Sequence, residues 1–146
     1  MPRGRLSETA VRPAALIACL LCVACASTAP QRDEALLAEF QNFAGDPVQN
    51  FFFWDLRNGW QVLGREHLVV WTSPWEAFLL RVRTPCTDLP FAQNIAISST
   101  GRWVRRGLDS VTVRNGIPCP IEEIRPVDYR KMLATHAEAG RPHAES

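Results

Sequence analysis

Residues 14–24 form an apolar run behind Arg3, Arg5 and Arg12, with Glu8 the one acid ahead of it, and the run ends directly before Cys25. A basic start, an apolar core and a small-residue exit are the layout of an export signal. The core is about 11 residues, well under the ~20 that a membrane-spanning helix needs. Segment 1–24 is therefore expected to be cut away rather than kept as an anchor. Whatever folds must be built from Cys25 onward, outside the reducing cytoplasm.

The exit decides how the product is held. Val23-Ala24 before Cys25, with the polar tether 25–32 after it, resembles the lipobox of a bacterial lipoprotein, in which the cysteine thiol is acylated. Cys22 departs from the Leu usual there. Ala24-Cys25-Ala26 also reads as the A-x-A site of ordinary secretion, which would release a soluble protein after Ala26. Lipidation at Cys25 is the reading carried forward. Acyl chains contribute about 0.8 kcal/mol per buried methylene, so two or more hold a small domain at a membrane surface. By that resemblance, Ala26 in place of the Asp that marks inner-membrane retention implies a periplasmic protein on the outer membrane.

The portion after the signal is long enough for one compact domain, placed at 33–137 with a disordered tail at 138–146. Losing Arg3, Arg5, Arg12 and Glu8 takes 16 basic and 15 acidic residues to 13 and 14. A near-neutral exported domain has none of the basic excess of a nucleic-acid binder. Outside the signal region two cysteines remain, Cys86 and Cys119, an even number in an oxidising compartment, so a disulfide is expected. A thiol nucleophile or metal ligand would need a lowered thiol pKa or clustered partners. Neither Cys86 nor Cys119 belongs to a C-x-x-C or has a neighbouring His to supply them.

A helix opens the domain. Asp33 and Glu34 suit its positive end, Leu36, Leu37, Phe40 and Phe43 recur at helical spacing, and Gly45 with Pro47 stops it. Strands are expected at 48–55, 60–63, 67–72, 77–83, 94–98, 102–106 and 110–114. Asn58-Gly59 reads as a two-residue hairpin turn between the first two, and Asn115-Gly116 as a later turn. Phe78, Leu80 and Val82 alternate with Leu79 and Arg81, the pattern of a sheet with one buried face. Segment 122–125 is expected as an edge strand, because Pro126 lacks a ladder donor. Asp128 caps a last helix through Ala137. The fold class is α+β: six to eight short antiparallel strands in a curved sheet or small β-barrel, an N-terminal helix packed on it and a short C-terminal helix.

Gly45-x-Pro47-Val48, Trp60-x-x-Leu63-Gly64, Leu68-x-Val70-Trp71-Thr72, Ala77-Phe78-Leu79-Leu80, Cys86-x-x-Leu89, Asp109-x-Val111 and the run from Cys119 to Asp128 resemble a family of small Gram-negative lipoproteins catalogued as a domain of unknown function. The shared positions are mostly apolar plus the cysteine pair, so the resemblance implies a fold rather than an activity. Leu108 and Trp75 depart from it.

Chemistry is sparsely signalled. His67 is the one histidine placed as a general base, the hydrolase alternative, with Ser73 or Ser110 and Asp109 or Asp88 as conceivable companions. No G-x-S-x-G elbow accompanies them. Glu122 and Glu123 are adjacent and should face opposite sides of a strand, which disqualifies them as a carboxylate pair. No spacing of His, Asp or Glu suggests a metal, and nothing calls for a cofactor. Of five tryptophans most are expected in the core. Trp75, after Pro74 in a turn, is the exception and marks a contact surface. Arg102, Arg105, Arg106 and Arg114 are expected on one side of the later hairpin, either as a solvated edge that blunts strand pairing or as part of a contact surface for an envelope protein or an anionic envelope surface. Arg125 is expected to pair with Asp109 or Asp128.

Overall fold

The computed structural model describes residues 28–114 and 116–140. Segment 1–24 read as a signal, Cys25, Asn115 and the residues beyond 140 lie outside the described residues.

The elements run α1 (Thr28–Asn42), β1 (Asn50–Phe52), β2 (Trp60–Leu63), β3 (His67–Ser73), β4 (Glu76–Val82), a 3-10 turn (Leu89–Phe91), β5 (Ile95–Ile97), β6 (Trp103–Arg105), β7 (Ser110–Val113), β8 (Cys119–Val127) and α2 (Tyr129–Ala139). Helix α1 starts inside the stretch read as a tether, and α2 takes in Glu138 and Ala139 from the expected tail. Asp128 does cap α2, accepting from Lys131 N–H at 3.1 Å.

Six strands form one antiparallel sheet in the order β2-β3-β4-β8-β7-β5, curled into a half-barrel, and β1 and β6 form a separate antiparallel ribbon. The α+β expectation holds. Three of its details do not. Asn58-Gly59 is no hairpin turn, since β1 pairs with β6. Gly59, at φ 100°, instead lets the chain dock on β3, where its carbonyl accepts from Trp71 N–H and the Asn58 amide donates to the Thr72 carbonyl.

Second, both faces of the central strands are buried. Leu68, Val70, Phe78, Leu80, Ile121 and Ile124 pack under Phe51, Phe53 and Val104 of the ribbon segments. On the other side Val69, Ala77 and Leu79 pack under Phe40 of α1 and Met132 of α2. Leu79 is therefore core, and the alternation misled because a second layer covers the polar-looking face. His136 of α2 meets Glu39 of α1, tying the two helices.

Third, β8 is a nine-residue inner strand, not a short edge. Gly45 N–H donates to Pro126 O and Val48 N–H to Ile124 O, both at 2.8 Å. Residues 124 and 126 thus turn their backbone groups away from β4, toward segment 44–48. The donor that Pro126 lacks falls where no strand needs it.

Candidate functional site

The disulfide forms as expected. Cys86 in the loop after β4 joins Cys119 at the start of β8, with Cα atoms 5.8 Å apart and both residues buried. Beside it, Arg65 and Glu66 face the loop from Thr84 to Phe91 across an open groove of about 540 Å³.

His67 opens β3 and lies opposite Arg81 of β4. Burial holds its pKa below the ordinary value of 6.5, with Glu66 opposing that shift and Arg81 adding to it. The hollow it shares with Gln41, Leu79, Arg81, Glu123 and Arg125 measures about 30 Å³. That is room for roughly a water or two. None of the proposed companions reaches it: Asp109 accepts from Ser98 Oγ at 2.8 Å and Arg105 N–H at 2.7 Å, with β4 and β8 between its strand and β3.

Glu122 and Glu123 do not face opposite sides. Arg81 opposes Glu123 while Val82 opposes Ile121, so Glu122 is the extra residue of a β-bulge. The bulge swings both carboxylates to one guanidinium, with Arg81 Nη1 2.8 Å from Glu122 and Nη2 3.4 Å from Glu123. Arg83 completes the set, its Nε 2.8 Å from Glu122. Hydrogen bonding from Arg83, then Arg81, holds the Glu122 carboxyl below its ordinary range. These are acids neutralised by arginines, an arrangement that ties β4 to β8. Arg125 pairs with neither Asp109 nor Asp128; it donates to the Gly45 carbonyl at 2.8 Å and stands 3.8 Å from Glu123.

The expected contact residues separate. Trp75 is 57% exposed in the β3–β4 turn, on the helix side of the sheet, with the Arg130 guanidinium of α2 5.9 Å from its ring centre. Arg114 donates to Gln93 at 3.1 Å, beside β5. Arg102, Arg105 and Arg106 belong to β6 and its flanks, on the opposite layer from Trp75.

There they join residues that sequence reasoning placed in the core. The ribbon register sets Phe51 opposite Val104 on the inner face, and Phe52 opposite Trp103 and Asn50 opposite Arg105 on the outer face. Phe52, Trp54 and Trp103 are 46%, 58% and 42% exposed. The rings of Phe52 and Trp103 meet edge to face with centroids 5.5 Å apart, and the Arg102 guanidinium lies 3.5 Å from the centre of the Trp54 ring. Arg102 has φ 67°, a left-handed backbone that non-glycine residues seldom adopt. Its carbonyl accepts from Phe53 N–H at 2.7 Å, fixing it beside Trp54.

One signal pointed to this face. Phe51 to Trp54 is aromatic at both parities, and a strand with one buried face can hide only alternate residues. What no local reading supplies is that Trp103, about 50 residues away, completes the patch.

Residues 9–143 match the family of unknown function DUF6491, and the chain belongs to that family. No curated protein and no solved structure matches it.

Proposed function

We propose that this DUF6491 member is an exported cell-envelope protein, held to a membrane by acylation at Cys25, whose role is non-catalytic binding through the outer face of the β1–β6 ribbon. The observation that carries the reading is the solvent-facing group of Phe52, Trp54 and Trp103 with Arg102 stacked on it. Three large aromatics left in water are the composition of a contact site, where their burial on binding supplies affinity. The export reading is supported by the signal layout of 1–24 and the oxidised Cys86–Cys119 pair. Outer-membrane sorting rests on Ala26.

The test has two parts. The intact mass of the protein from its native membrane should begin at acylated Cys25; a mass beginning at Ser27 removes the anchor. In cells lacking the chromosomal copy, Trp54→Ala with Trp103→Ala should fail to restore envelope integrity while His67→Ala restores it. The reverse result would replace binding with hydrolysis at His67.

A further inference from the structure

Arg102 stacks on Trp54, Arg105 lies on the outer face opposite Asn50 and Arg106 follows it in the chain; all three are exposed, and among the described residues none lies within ion-pair distance of a carboxylate. The acids nearest in sequence are already engaged. Asp55 is held by Arg57 at 2.7 Å, and buried Asp109 accepts from Arg105 N–H and Ser98 Oγ. The face is therefore cationic, although the exported chain as a whole carries a slight negative charge. Stacking on Trp54 covers one side of the Arg102 guanidinium and leaves its edge N–H groups to bind oxyanions.

We infer that this ribbon face seats on an anionic phospholipid surface, with Trp54 and Trp103 at the headgroup boundary and Arg102, Arg105 and Arg106 on lipid phosphates. Indole rings, apolar in body with one polar N–H, concentrate at that boundary, and arginines nearby gain from the negative surface potential. The proposal takes its site from the reading above and does not need the anchor. Only Ala26 and Ser27 separate Cys25 from the start of α1, a reach of ~10 Å. Helix α1 packs on the layer opposite the ribbon, so the ribbon's contact with a bilayer is argued from its own residues.

The experiment uses the mature protein, with its N-terminal mass determined first, on phosphatidylglycerol/phosphatidylethanolamine vesicles whose acyl chains are brominated near the headgroup. Tryptophan emission should be quenched, and Trp54→Phe with Trp103→Phe should remove most of the quenching. Arg102→Asn, chosen because asparagine tolerates the left-handed backbone, should weaken binding of the non-acylated form roughly fivefold, as should each of Arg105→Gln and Arg106→Gln. For the non-acylated form, phosphatidylcholine vesicles should quench little, and inorganic phosphate at matched ionic strength should displace nothing. Equal quenching of the non-acylated form in neutral vesicles, quenching that survives the double Trp variant, or no quenching with Cys25 acylated would overturn the proposal, the last assigning the face to a protein partner. Displacement by inorganic phosphate would do so as well, making Arg102 a free-phosphate site. A mass starting at Ser27 defeats only the anchor, and the quenching result then stands on its own.

Discussion

Phe51 stacks on Phe78 of the sheet with ring centroids 4.5 Å apart, and that contact turns its neighbour Phe52 out to solvent. Successive side chains of a strand point to opposite faces, so anchoring one ring inward exposes the next. Phe51 holds the ribbon on the half-barrel; Phe52 is what the ribbon presents.

The two residues should therefore differ sharply on truncation. Phe51→Ala should cost about 3–5 kcal/mol, as for other buried aromatics, and Phe52→Ala less than about 1.5 kcal/mol, the worth of its edge contact with Trp103. Urea unfolding of both variants checks this. Similar losses would mean that the outer face is structural.

Arg102 and Trp54 should couple weakly. The pair is exposed, so a double-mutant cycle of Arg102→Asn and Trp54→Leu should return about 0.5–1 kcal/mol. A larger coupling would assign the stack to stability rather than to presentation of the guanidinium.

The disulfide closes a loop of 33 residues. In the chain-entropy description that constraint stabilises the fold by ~3.5–4 kcal/mol. Cys86→Ser with Cys119→Ser should lose about that much in denaturant unfolding, and reductant should shift the native protein's midpoint while leaving the variant's unchanged.

Acid should act through His67. Burial disfavours its charged form, so its folded pKa lies below the unfolded value of 6.5. The unfolded chain then binds the proton more readily. Stability is full above the unfolded pKa and declines as pH falls below it, until the folded ring is protonated too. The urea midpoint should fall between pH 7.5 and 5.5, and His67→Asn should reduce that fall.

Glu122 has the opposite environment. Its carboxyl is held below the ordinary value of 4.5, chiefly by the Arg83 hydrogen bond. That contribution is present above the unfolded pKa and is lost as pH falls through the depressed folded one. Arg83→Gln should move the Glu122 titration back toward 4.5 in carboxyl-carbon NMR; an unmoved titration would show that Arg83 does not hold it.

Local chemistry in the sequence determined a good deal. The helical spacing of Leu36, Leu37 and Phe40 placed α1, alternation and turn residues placed most strands to within a residue or two, and two late cysteines with no other candidate partner downstream of Cys25 specified their own bridge. Asp128 announced the cap of α2. These features are legible because each depends on residues close in the chain, or on a pairing with one solution. Tertiary structure decided the rest. That β1 leaves Asn58-Gly59 to pair with β6, that α1 and α2 cover the second face of β3 and β4, and that a bulge turns Glu122 and Glu123 together onto Arg81 are all choices among partners far apart in sequence. Non-local pairing is settled by the burial of whole faces, which no short window contains. The candidate site belongs to that second class: Phe52, Trp54, Arg102 and Trp103 become one surface only because their two segments share a ribbon whose inner side is already filled.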